Sequence, residues 1–197
     1  MSDPTKLQIK LWKQQYSTPD DFFDWVTSTA LPVYGHTRFT LDTCASPWNH
    51  KCAEFIAPDG TMPVDGMIGT NGLKTSWRTD GAAWCNPGFS EVLPWSKWAR
   101  LEADKGQLSV ALTHASHAAK WSQWTIRNGA AACWLINPRI NFIEAPQYVQ
   151  HLFSQGKKPG GNNRDSMLWV FDPKHRGLCE FIVADPWTQG GRKKKAA

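Results

Sequence analysis

The sequence of 197 residues has no apolar run long enough to span a bilayer. Its opening Met-Ser-Asp-Pro-Thr-Lys also lacks the apolar stretch of a secretory signal. These absences argue against a membrane or exported protein, and a cytoplasmic one is expected. Neither Gly-x-Gly-x-x-Gly nor Gly-x-x-x-x-Gly-Lys-[Ser/Thr] occurs, which excludes a dinucleotide fingerprint and a P-loop. No internal repeat is present. Cysteines number five, an odd count without a secretory context, so reduced thiols are expected. Cys44, His50, Cys52 and Cys85 carry ligand atoms for zinc, but their spacings fit no knuckle and no metal is expected.

What is present describes one globular domain. Hydrophobic residues make up 41% and charged residues 20%, enough for a full core in a chain of this length. Twelve tryptophans exceed what core filling requires, so some can offer surfaces on which bases stack. Trp95 and Trp98, and Trp121 and Trp124, recur at a spacing of three, as on a helix face. The formal charge is +5, and Arg192-Lys193-Lys194-Lys195 holds much of it, a tail suited to salt-dependent contact with phosphates. The expected organisation is an arm or short helix over 1–15, one domain over 16–187 and a basic disordered tail over 188–197.

Ser17-Thr18-Pro19-Asp20-Asp21 reads as a helix start, with Thr18 as cap and Pro19 in the first turn. The helix continues through Phe22, Phe23, Trp25 and Val26. A strand is predicted over Phe39–Asp42, a short helix over Asn49–Phe55, and a long loop over 57–81. There follow a strand over 82–85, a helix from Glu91 to about Asp104, and a strand over Gln107–Leu112. A helix over Ala118–Arg127 and strands over Ala131–Ile136, Arg139–Phe142, Ser166–Phe171 and Leu178–Ala184 complete the reading. A basic loop lies at 154–166. Alternating strands and helices, with hairpin-like strands late, specify a three-layer α/β domain whose mainly parallel sheet has an antiparallel edge hairpin.

The chemistry is concentrated in Trp84-Cys85-Asn86-Pro87-Gly88-Phe89, a polar turn ending a short apolar strand. Asn86 offers a side-chain carbonyl, Pro87 fixes φ and keeps its own carbonyl free, Gly88 allows close approach, and Phe89 is a flat plate. Two acceptors beside an aromatic suit a planar ring bearing an amine. The same residues also serve as a plain strand-terminating turn. Asp42, at a strand end before small residues, can accept from a hydroxyl or ammonium group or cap a helix. Asp185-Pro186-Trp187 repeats the acceptor pattern but reads as a turn after the last strand.

Taken in order, these blocks resemble the phage-type DNA N6-adenine methyltransferases, which use S-adenosylmethionine. Tyr16-Ser17-Thr18-Pro19-Asp20-Asp21-Phe22-Phe23 is similar to that family's Thr-Pro motif. Phe39 to Ser46, followed by Asn49-His50-Lys51-Cys52, resembles its cofactor strand, and Asn86-Pro87-Gly88-Phe89 its Asn-Pro-Pro-Tyr turn. Lys120-Trp121 resembles its Lys-Trp pair, and Arg139–Phe142 and Ser166–Phe171 its late strands. The chain departs from the pattern at Gly88 and Phe89. The glycine loosens a turn that should be preorganised, whereas the phenyl ring keeps the stacking face.

The resemblance implies a Rossmann-like methyltransferase fold and site-specific transfer of a methyl group to adenine N6 in duplex DNA, with the target base flipped out. It implies Asn86, Pro87 and Phe89 as catalytic residues. Tyr16, Thr18, Pro19, Asp42, Cys44, Ala45 and Ser46 are then expected to bind S-adenosylmethionine. Gly88, Lys120, Trp121, Arg139, Lys157, Lys158 and Arg164 are expected to contact DNA. The setting implied is a bacterial or phage-infected cytoplasm. Two other readings share these residues: a weak or inactive DNA-binding relative, and methylation of another amino-bearing base.

Overall fold

The computed structural model describes residues 4–12, 15–160, 164–175 and 177–186. The basic tail and Trp187 lie outside the described residues. Eight strands form one sheet in the order β3-β2-β1-β4-β5-β7-β6-β8. They are β1 (Phe39–Asp42), β2 (Glu54–Ala57), β3 (Met67–Thr70), β4 (Ala82–Cys85), β5 (Ser109–His114), β6 (Ala132–Ile136), β7 (Ser166–Phe171) and β8 (Glu180–Ala184). β7 runs antiparallel to both β5 and β6, and every other pairing is parallel. The expected mainly parallel α/β sheet is therefore present. Its antiparallel β6–β7 pair lies toward one end, with β8 added outside it.

The helices are α1 (Lys6–Trp12), α2 (Asp20–Trp25), α3 (Val92–Asp104), α4 (Lys120–Asn128) and α5 (Pro146–Ser154). Apolar side chains from both sheet faces form two large clusters. One contains Phe22, Leu41's neighbour Phe39, Trp84, Leu112 and Leu168, and the other contains Leu41, Trp77, Ala99, Cys133 and Trp169. β4, β5 and β7 are buried along their whole length, as expected of strands covered on both faces. Trp84 anchors α2 to the sheet, its ring meeting Phe23 edge-on at 5.2 Å and Phe39 at 5.5 Å. This packing holds the 16–19 segment over the end of β4.

Four sequence expectations are corrected. Asn49–Phe55 is not a helix: a turn leads into β2, whose Phe55, Ile56 and Ala57 are buried beside β1. The 57–81 stretch is not all loop, because it contains β3, a half-exposed Met-Ile-Gly-Thr edge strand without an apolar signature. Arg139–Phe142 alternates in burial as expected but joins no ladder, and the only bridge nearby among the described residues pairs Ile143 with Ser17. Thr18 caps no helix: Pro19 occupies the cap position of α2, without a side-chain cap bond. α5, which lies against α1 with Trp12 and His151 rings 6.4 Å apart, had no counterpart in the sequence reading.

Candidate active site

The strand order reverses between β1 and β4, which diverge to β2 on one side and β5 on the other. Such a switch point opens a crevice at the carboxyl ends of the strands, where open α/β sheets bind ligands. Asp42 ends β1, and Asn86 directly follows β4, which pairs with β1 in the register Asp42–Trp84. Thr43 closes the seam, its N–H and hydroxyl both donating to the Trp84 carbonyl at 2.8 and 3.0 Å.

Asn86 is held from one side only. Its Nδ2 donates to the Tyr16 carbonyl at 3.1 Å and to Thr18 Oγ1 at 3.2 Å. A backbone carbonyl can only accept, so the amide orientation is fixed, and Oδ1 retains its acceptor capacity for an incoming N–H. The Tyr16 carbonyl also receives Asn49 Nδ2 at 3.3 Å, tying the two strand-end segments together. Thr18 is buried, at 2% exposure. The hydroxyl that the sequence offered as a helix cap instead orients Asn86. Pro87 is buried, and Gly88 and Phe89 are half-buried.

Phe89 sits in a ring of aromatics. His114 lies 5.2 Å from it, and Phe142 meets it edge-on at 5.9 Å. Phe142 in turn packs on Tyr16 at 6.0 Å. The Ser17–Ile143 bridge, with backbone bonds of 2.8 and 3.0 Å, pins the Phe142 segment in place.

Asp42 turns inward. Its Oδ1 accepts the Cys44 N–H at 3.3 Å and its Oδ2 the Lys51 N–H at 3.0 Å, so the carboxylate folds residues 44–51 back on β1. Burial pushes its carboxyl up to about 6, against the pull of those two amides and of the nearby His50 and Lys51. Lys51 then joins this segment to α2 through an ion pair with Asp20. Asp42 thus shapes the loop around a ligand.

A hollow of about 230 Å³ opens beside this loop, lined by Thr43, Cys44, Ala45, Ile56, Asp59, Asn71, Gly72 and Trp95 among others. That volume is below the roughly 300–1,000 Å³ of pockets enclosing a whole drug-sized ligand, so it is a cradle for part of one. Gly72 is required there, since a Cβ would stand 2.2 Å from the Thr43 carbonyl and 2.8 Å from the Trp95 ring. Cys44 links cradle and turn: the Gly88 N–H bonds to its sulfur, while burial and Asp42 push its thiol up to about 12. Cys44 and Ala45 therefore line the hollow as expected, and Ser46 lies next to them in a small turn bridged to Asn49.

Asp59 and Asn71 were missed in the sequence. Asp59 is exposed just beyond β2, and its Oδ2 accepts Asn71 Nδ2 at 2.7 Å. The usable signal was an acid after a short apolar run, which the mistaken helix over Asn49–Phe55 concealed.

The expected DNA contacts divide. Lys120 is exposed at the start of α4. Trp121 packs inward between His114 at 5.3 Å and Trp169 at 6.0 Å, so its ring serves the core. Arg139 is exposed and bonded to Asp165 at 2.7 Å, while the Asp165 carbonyl receives the N–H of Ala115 just after β5. Arg164 adjoins Asp165 and is close enough to His114 to lower its pKa. Arg139 and Arg164 thus stand at the β5 end, next to the Phe89 aromatics. Lys157 is turned back on α5, its Nζ on Gln155 Oε1 at 3.1 Å and its N–H on the Leu152 carbonyl; Lys158 is exposed beside it. Among the described residues no cluster of three His, Cys, Asp or Glu side chains is placed to hold a metal, and no helix is long and apolar enough to cross a membrane.

Comparison with known proteins agrees with this geometry. Residues 6–185 match the family model described as DNA N-6-adenine-methyltransferase (Dam). A DNA N-6-adenine-methyltransferase of Haemophilus phage HP1 (strain HP1c1) is 29% identical over 163 residues, covering 82% of this chain and 80% of the phage protein. No solved structure matches the chain. With the family model covering nearly the whole chain, from α1 to the end of β8, the protein belongs to the DNA N-6-adenine-methyltransferase (Dam) family.

Proposed function

We propose that the protein transfers a methyl group from S-adenosylmethionine to the N6 amine of adenine in DNA, at the Asn86 turn. The observation that carries this reading is the one-sided grip on Asn86: Tyr16 and Thr18 take both bonds through Nδ2 and leave Oδ1 as acceptor.

The adenine amine is a poor nucleophile because its lone pair is delocalised into the ring. Asn86 Oδ1 and the Pro87 carbonyl accept its two hydrogens, which localises the lone pair and stabilises positive charge developing on nitrogen. The surplus proton leaves to solvent. Phe89 receives the extruded ring by stacking, contributing roughly 1–3 kcal/mol by analogy with single-strand binders. No side chain needs to change protonation, since the task is orientation in a preorganised polar turn. When bound, S-adenosylmethionine supplies an electrophilic methyl group.

The residues beside the turn fit that donor. Ile56 and Trp95 give the hollow apolar walls, Asp59 and Asn71 supply polar atoms suited to ribose hydroxyls, and Gly72 admits a close approach. Tyr16, Thr18, Pro19 and the Cys44–Ser46 loop border the space between hollow and turn, with Asp42 holding the loop in shape. Arg139, Arg164 and Lys120 present positive charge for the phosphate backbone. The expected setting is the cytoplasm of a phage-infected cell.

Purified protein, labelled S-adenosylmethionine and adenine-containing DNA should yield labelled N6-methyladenine. Asn86→Ala should lower transfer about 10²–10³-fold, the loss usual for one preorganised polar contact. Transfer that survives the substitution in a folded protein refutes the reading.

A further inference from the structure

His114 ends β5, which pairs in parallel with β4, so its side chain stands at the same sheet edge as the Asn86 turn. Only 6% of it is exposed, and its ring lies between Phe89 at 5.2 Å and Trp121 at 5.3 Å. In an aromatic chain running from Phe89 to Trp169, a phenyl ring would pack equally well. Histidine instead places a polar atom there, and its Nδ1 is buried without a hydrogen-bond partner. Directly across the strand pair is Ser166, whose hydroxyl is also buried and without a partner. Opposed residues of an antiparallel pair project from the same face of the sheet. Two neighbouring polar groups without partners, in an otherwise satisfied core, mark a wall made for a ligand. Burial and the charge of Arg164 lower the His114 pKa, which keeps the imidazole neutral, with one nitrogen to donate and one to accept.

We propose that His114 is a positioning residue for the target base, its Nδ1–H donating to a ring nitrogen that flanks the N6 amine of a flipped adenine. The proposal rests on the reading that the Asn86 turn receives that base. With the amine on Asn86 and Pro87 and the ring on Phe89, the base edge is one ring away from the imidazole. Adenine carries a lone-pair nitrogen on either side of the amine, N1 and N7. A bond to one of them fixes rotation of the base in the plane of the plate, which the amine contacts alone leave free.

The test uses the full chain and oligonucleotides of the sequence it methylates, with the target adenine replaced by 1-deazaadenine or 7-deazaadenine. Wild type should lose roughly tenfold in kcat/KM on one analogue, the worth of one hydrogen bond. His114→Phe, which keeps the ring against Phe89, should lose the same factor on adenine and become insensitive to that analogue. His114→Gln keeps a donor and should retain the sensitivity, and it provides a second reading if the phenylalanine variant is unstable. Equal sensitivity of wild type and His114→Phe to both analogues overturns the proposal. Absence of any transfer to adenine by the wild type overturns the Asn86 reading itself, a different result.

Discussion

Thr18→Val separates the two roles that a threonine before Pro-Asp-Asp can play. Valine preserves the shape of the side chain and removes its hydroxyl. Thr18 is buried, and Asn86 Nδ2 reaches its Oγ1 at 3.2 Å and the Tyr16 carbonyl at 3.1 Å. The substitution therefore removes one of two tethers and leaves the carboxamide free to rock about the other. One buried hydrogen bond contributes about 1 kcal/mol, which for a domain of this size corresponds to a melting shift of roughly 2–4 °C. The effect on rate should be larger than that on folding, because a misoriented Oδ1 no longer faces the amine. We expect kcat to fall about 10–100-fold, within the range of a lost preorganised contact, while the KM for S-adenosylmethionine changes little. Thr18→Ser, which keeps the hydroxyl, should recover most of the activity. Steady-state methyl transfer with thermal melting of each variant provides the readout. A Thr18→Val protein with wild-type kcat, or a Thr18→Ser protein as impaired as Thr18→Val, refutes the tether.

Other outcomes follow from the same geometry. Because the folded-state pKa of Asp42 is raised from 3.8 to about 6, the folded protein binds a proton more tightly than the unfolded chain, and stability falls as pH rises across that window by up to about 3 kcal/mol. Urea unfolding from pH 4 to 6 should show this slope in wild type and not in Asp42→Asn. Gly72→Ala places a methyl 2.2 Å from the Thr43 carbonyl, so it should destabilise the fold by about 1–3 kcal/mol and weaken S-adenosylmethionine binding measured by calorimetry. Unchanged affinity would show that the hollow is not the cofactor cradle. Phe89→Leu should raise the KM for DNA about 5–100-fold through lost stacking, whereas Phe89→Tyr should leave it near wild type.

The regular elements were legible in the sequence where local chemistry determines them. Apolar runs specified β4, β6 and β7, helical spacing specified α3 and α4, and Asn86-Pro87 marked a rigid polar turn. Where local signals were weak the reading failed. β3 is short and half-exposed, and α5 buries no residue, so neither shows a clear period. The alternation of Arg139–Phe142 was real, but whether an alternating segment joins a sheet depends on a partner strand that the segment itself does not encode.

For the site, the sequence by itself determined the reacting turn, the small residues after β1 and the aromatic plate, since these are properties of contiguous residues. Only the tertiary structure decided what holds and surrounds them. The bond from Asn86 to the Tyr16 carbonyl joins residues 70 positions apart, and Asp42 proved to be the organiser of its own loop. Asp59 reaches the hollow because β2 pairs with β1, and His114 reaches Phe89 because β5 pairs with β4. A hydrogen-bond partner far along the chain is chosen by strand order and packing, and those are set by how the whole core buries its apolar surface.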